Sequence, residues 1–199
     1  MSQETKIKSS LDFMAGIVLF CFFCSGMTGL IYEILWSRMI VAIVGCAPFA
    51  VSIILTVFMG GLGVGSFIAG RTIDRIQQPF LLVLLYGVLE ILIGGYGLAV
   101  PFLVHAFKPL YSILYNRYFE HFLLFNFLTF LGCSILLFIP VIAMGATLPI
   151  LCRYYVSRMS NLGAQTGRLY GFNTLGAAAG SMLCGFWLIG RFGMTGTLG

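Results

Sequence analysis

The sequence predicts an all-α integral membrane protein, a polytopic helical bundle, and three observations lead there. Of 199 residues, 60% are hydrophobic and only 9% charged, at a mean hydropathy of +1.03, whereas soluble domains carry about a quarter charged residues. The apolar residues fall into five runs, each near or above the roughly 20 residues that cross a bilayer. Most of the charges lie between these runs rather than along them. A soluble domain of this length would need far more polar surface. The net charge of +5 is scattered at run ends and forms no stripe, so it argues against nucleic-acid binding and for a role in membrane orientation.

Residues 1–12, MSQETKIKSSLD, read as an N-terminal tail carrying Lys6 and Lys8. The apolar run behind them is too long for a cleaved signal peptide, so it is expected to stay as an anchor. That first span covers about 13–36. Ser25, Gly29 and Glu33 recur every four residues and so share one helix face, with Gly26 beside them. A carboxylate facing lipid at mid-bilayer costs about 3 kcal/mol or more, so this face is expected to look into protein. Glu33 falls near the end of its run with Arg38 five residues on. A structural ion pair and a substrate or proton ligand both fit it.

Residues 39–50 hold Gly45 and Pro48 and read as a tight connection into the second span, 49–70. The stretch MGGLGVGSFIAGRTIDR, residues 59–75, admits two readings. As a loop, Gly61, Gly63 and Gly65 make a GxGxG nucleotide fingerprint. As a helix end, Gly61 and Gly65 are a contact face, and Gly70, Arg71, Asp74 and Arg75 close the span at the water. The fingerprint needs a preceding strand and an acid about 20 residues beyond the glycines; here an apolar span precedes, and Glu90 lies inside another apolar run. Helix packing is the expectation.

The third span, 80–101, places Tyr86, Glu90 and Gly94 on one face. Glu90 sits mid-run, so it is expected to be protonated or to hold a hydrogen-bonding partner; a substrate ligand and a neutral structural acid are equally open. Residues 102–121 read as an amphipathic connection at headgroup level, with Tyr111, Tyr115 and Tyr118 among His105, Lys108, Pro109, Arg117, Glu120 and His121. The two histidines have no metal-ligand spacing.

The fourth span, 122–152, contains Pro140 and Pro149, with Asn126, Thr129 and Cys133 on one face and Thr147 placed to satisfy a carbonyl that a proline frees. Arg153, Arg158, Asn161, Gln165 and Arg168 make a basic loop. The fifth span, 169–190, carries Gly176 and Gly180 as GxxxG beside a stripe of Asn173, Ala177 and Ser181. Small residues of this kind let helix backbones approach closely. Residues 191–199 read as an extracytoplasmic, glycine-rich approach to a further helix. Of the six cysteines, Cys21 and Cys24 form CxxC but lack a second ligand pair or a nearby histidine; they read as small packing residues, with no metal site. If residue 1 is cytoplasmic, seven of the eleven basic residues lie inside; this favours an N-terminus in the cytoplasm.

GLIYEILWSRMI (29–40), MGGLGVGSFIAGRTIDR (59–75), MGATLPIL (144–151) and GRLYGFNTLGAAAGS (167–181) occur in that order. Together they resemble the membrane portion of bacterial fused major-facilitator/spermidine-synthase proteins, over 29 to about 197. The resemblance implies a bundle of five to six transmembrane helices like half of a major-facilitator transporter, in a bacterial inner membrane. Gly70, Asp74 and Arg75 then resemble the major-facilitator loop signature, from which the sequence departs after Arg75, where Ile-Gln-Gln-Pro follows. Aminopropyl transfer in that family belongs to a soluble domain, and no stretch here reads as one. The expectation is therefore no enzyme and no cofactor.

Two functions follow. One is transport or channelling of a small, polyamine-like cation, with Glu33, Glu90, Tyr32, Tyr86 and Asn173 as substrate-binding candidates. It needs a second half, from a homo-oligomer or another membrane subunit. The other is a structural subunit whose glycine faces, Gly61, Gly65, Gly176 and Gly180, dock a larger membrane complex.

Overall fold

A computed structural model describes residues 3–45, 47–155 and 162–196. They form α1 (Gln3–Val44), α2 (Ala47–Thr72), α3 (Pro79–Tyr118), α4 (Phe122–Tyr155), α5 (Leu162–Leu183) and α6 (Ile189–Gly196), with no strand among the described residues. A 3-10 turn, Ile73–Arg75, closes α2, and a π-helical turn, Cys184–Leu188, joins α5 to α6. Five segments are long and apolar enough to cross a membrane.

The boundaries have local causes. Gly45 adopts φ +74°, which favours glycine, and ends α1, its N–H donating to the Val41 carbonyl. Pro48 then stands in the first turn of α2, where its missing N–H costs nothing. After Arg75 the chain is extended at Ile76, and Pro79 opens α3 behind an extended Gln78.

Several helices run longer than the sequence suggests. Residues 3–12 are helical and continuous with the first span, and residues 39–44 continue α1. Residues 102–118, expected as a connection, continue α3 through Pro101 and Pro109. The physical reason is their apolar stripe. Val100, Val104 and Phe107 are buried, and the Tyr111 hydroxyl donates to the Val44 carbonyl at the end of α1. Tertiary packing of this kind holds a helix through a proline. At about 60 Å by helix rise, α3 exceeds the ~30 Å hydrocarbon core. The basic loop shrinks correspondingly: Arg153 belongs to α4, and Gln165 and Arg168 to α5, while Arg158 and Asn161 lie outside the described residues. Residues 191–196, expected to be a turn, belong to α6, with an interruption at Gly193, φ +70°. Residues 197–199 and Cys46 lie outside the described residues.

Consecutive helices run antiparallel, yet the closest pairings are parallel ones, α2 with α4 and α1 with α5. Both rest on glycine. Gly61 and Gly65 of α2 lie against Val141 and the Ile142 backbone, and Gly145 of α4 lies against the Leu62 backbone. Gly176 and Gly180 of α5 lie against the Phe23 and Met27 backbones of α1, and Gly26 answers with Asn173. The glycine face expected from residues 59–75 is thus a helix contact, as is the GxxxG of the fifth span. Lipid removes the hydrophobic drive between helices, so close backbone approach supplies van der Waals energy instead. Gly70 meets nothing, and Arg71, Asp74 and Arg75 are exposed at the end of α2. Asp74 reaches Arg153 at 3.9 Å.

Helix α3 lies along α4 and touches α1. The Phe107 ring fills the place of a side chain at Gly132. The Tyr96 hydroxyl donates to the Leu136 carbonyl at 2.7 Å. That carbonyl is the one Pro140 leaves without its helical donor. Thr147 donates instead to Met144, at 2.7 Å; the carbonyl that Pro149 frees is that of Gly145, so Thr147 does not play the expected part.

Candidate functional site

Two hydrophobic clusters, one around Trp36, Phe58 and Leu137 and one around Phe22, Tyr86 and Leu151, leave a cavity between them. It has a volume of about 310 Å³. Helix α1 contributes Ser25, Gly26, Gly29 and Glu33, the face that the four-residue spacing marks out. Ser66 comes from α2, Thr147 from α4, and Asn173 and Tyr170 from α5; Leu62, Phe58 and Met144 are among the apolar walls. The cavity opens sideways between α2 and α5, where Met59 and Tyr170 are 60% and 61% exposed.

Glu33 lies three residues past the midpoint of the apolar segment Gly16–Val44. This corrects its expected place near the end of a run, because α1 continues to Val44. The ion pair with Arg38, one of the two readings open for Glu33, does not form: among the described residues Glu33 has no hydrogen-bond or ion-pair partner. Among the described residues it carries the one carboxyl of the cavity lining, which also includes the hydroxyl and amide groups of Ser25, Ser66, Thr147 and Asn173.

Glu90 belongs elsewhere. It lines a separate groove between α1 and α3, with Cys21, Cys24, Ser25, Thr28 and Tyr86. Ser25 Oγ donates to Glu90 Oε1 at 2.7 Å. The Tyr86 hydroxyl is buried beside Glu90. Tyr32 lines neither space; its ring stacks on Trp36 at 5.3 Å and fills the place of a side chain at Gly97. The five substrate-binding candidates therefore divide. Glu33 and Asn173 share the cavity, Glu90 and Tyr86 share the groove, and Tyr32 packs α1 on α3.

Ser66, Thr147 and Tyr170 complete the cavity, and sequence reasoning did not single them out as site residues. Ser66 follows Gly65, and Thr147 follows Ala146, whose backbone nitrogen lies against Gly65; small polar residues beside the small residues of a helix contact are the available signal. No group of three or more His, Cys, Asp or Glu residues that could hold a metal exists among the described residues.

No family model, curated protein or solved structure matches this chain.

Proposed function

We propose that the chain is a membrane translocation module that admits a small cation to the cavity at Glu33. The observation that carries this is the Glu33 carboxyl, at mid-span, facing a cavity and lacking any partner among the described residues. An acid so placed must be neutral or must hold a cation, because low dielectric penalises an uncompensated charge. The volume of about 310 Å³ and the mixed lining suit a small organic cation: the carboxylate takes the ammonium, Asn173, Ser66 and Thr147 take its N–H groups, and Phe58 and Leu62 take its methylenes. The likeness to fused major-facilitator/spermidine-synthase proteins points the same way, to a polyamine-like ligand.

In this reading the protein is no enzyme, and the end of the bundle carrying Arg71, Arg75, Arg153 and Arg168 faces the cytoplasm of a bacterial inner membrane. The sideways opening at Met59 and Tyr170 is where a second copy or another membrane subunit completes the wall. That opening also favours a second reading, a structural subunit of a larger membrane complex.

Uptake of labelled putrescine by proteoliposomes of the purified chain separates the two. Glu33→Gln is expected to cut uptake at least tenfold while leaving the helical content unchanged. Equal uptake by E33Q rejects the translocation reading. Absence of uptake, together with copurification of a stoichiometric membrane partner in mild detergent, establishes the structural one.

A further inference from the structure

Ser25 is the one polar side chain that lines both the cavity and the groove. Its hydroxyl is committed to Glu90 at 2.7 Å, while its helix face also carries Gly29 and Glu33. The Tyr86 hydroxyl is buried beside the same acid. Glu90 is thus flanked by two hydroxyls, Ser25 as a donor to its ionised form and Tyr86 as an oxygen that can accept its proton. The remaining titratable groups facing it are Cys21 and Cys24 from α1, and Tyr32 one helical step further. The facing stretch of α4, residues 136–148, presents no titratable side chain, and no lysine, arginine or histidine lines the groove.

We propose that Glu90, Ser25 and Tyr86 form a proton-binding site that is separate from the cation cavity and linked to it through the Ser25 hydroxyl. The inference deepens the translocation reading and rests on it for the identity of the cation. When Glu90 is ionised, Ser25 donates to it, and the serine oxygen turns its lone pairs to the cavity, where they favour a cation. When Glu90 takes a proton, that proton is donated to the Tyr86 oxygen. The Ser25 hydroxyl is released, and its hydrogen can point into the cavity, where it opposes a cation. One proton is gained or lost at the Glu90 carboxyl and no other bond changes. A metal ion fits poorly, since the side-chain oxygens number too few for the six or more ligands of a hard cation and the helical carbonyls are already engaged.

Ser25 and Glu33 stand eight residues apart on α1, about 12 Å along the axis. At an effective dielectric of about 20, a unit charge at that distance changes cation affinity about tenfold. Linkage makes the effect reciprocal: a cation entering at Glu33 expels the proton from Glu90. The two ligands therefore compete, as an exchange of cation for proton requires.

The test uses the full chain in lipid, with proton release on adding putrescine and the infrared carboxylic-acid band of Glu90, identified by its loss in Glu90→Gln. Wild type is expected to release more protons per putrescine bound than E90Q, with Ser25→Ala resembling E90Q. Equal release from all three overturns the inference. If no variant binds putrescine, the translocation reading fails alone, because the infrared arm needs no ligand. There, Glu33→Gln is expected to shift the Glu90 band when Ser25 is present and not in the S25A background. A band unmoved by E33Q, or moved equally in both backgrounds, removes Ser25 as the link.

Discussion

The two parallel helix pairs are built on the same contact and held in different company. In α2–α4, Gly61, Gly65 and Gly145 bring backbones together among apolar side chains, and α3 braces α4 along its length through Phe107 and Tyr96. In α1–α5, Gly26, Gly176 and Gly180 do the same work, but Asn173 enters the crossing, and α5 packs otherwise only lightly, on α4. Helices α2, α3 and α4 thus form a braced layer. Helix α5 hangs from α1, beside the opening of the cavity. The difference teaches that close packing alone does not make a rigid wall; the number of independent neighbours does.

The largest expected effect lies in the braced layer. Gly65→Leu drives a side chain into the Ile142 backbone, and is expected to destabilise the whole bundle by about 3 kcal/mol or more, read as loss of folded protein in a denaturant titration. Folding unchanged by that substitution would remove the glycine contact from the account. Gly176→Leu meets the Phe23 backbone in the same way, yet its effect is expected to be local. Helix α5 should detach, raising alkylation of Cys184, which is buried, while the backbone amides of α4 around Leu136 stay protected from hydrogen exchange. Uniform loss of protection in both regions would make the two pairs equivalent and dissolve the comparison.

A smaller effect is expected from Tyr96→Phe, which leaves the Leu136 carbonyl bare beside Pro140. Hydrogen bonds between membrane helices average about 0.6 kcal/mol. The Phe variant should lose about that much stability, and a Pro140→Ala background, which restores the helical donor, should recover most of it. The smallest belongs to Arg153→Gln. The Asp74–Arg153 pair is long, at 3.9 Å, and exposed, so the change should cost at most about 0.5 kcal/mol and vanish at high salt.

The helical class and the number of spans were legible in composition and run length, because a bilayer imposes both. So was the shared face of Ser25, Gly29 and Glu33, since a four-residue spacing needs no tertiary information to fix a face. The glycine pairs at 61/65 and 176/180 were legible as contact surfaces for the same reason. Their partners were not: nothing in the order of the spans says that α1 meets α5 and α2 meets α4. The helix ends were misplaced where a proline or a charge suggested a boundary, as over 102–118, because a neighbouring helix can hold a chain that its own residues would let go.

The sequence by itself determined that this chain is a set of apolar helices with two acids inside them and small residues on chosen faces, all properties of one helix at a time. Only the tertiary structure decided that Glu33 and Glu90 line different spaces beside α1. One faces a cavity without a partner; the other takes a hydroxyl from Ser25. The relative rotation and depth of two helices are set by which surfaces pack, and that is a property of pairs.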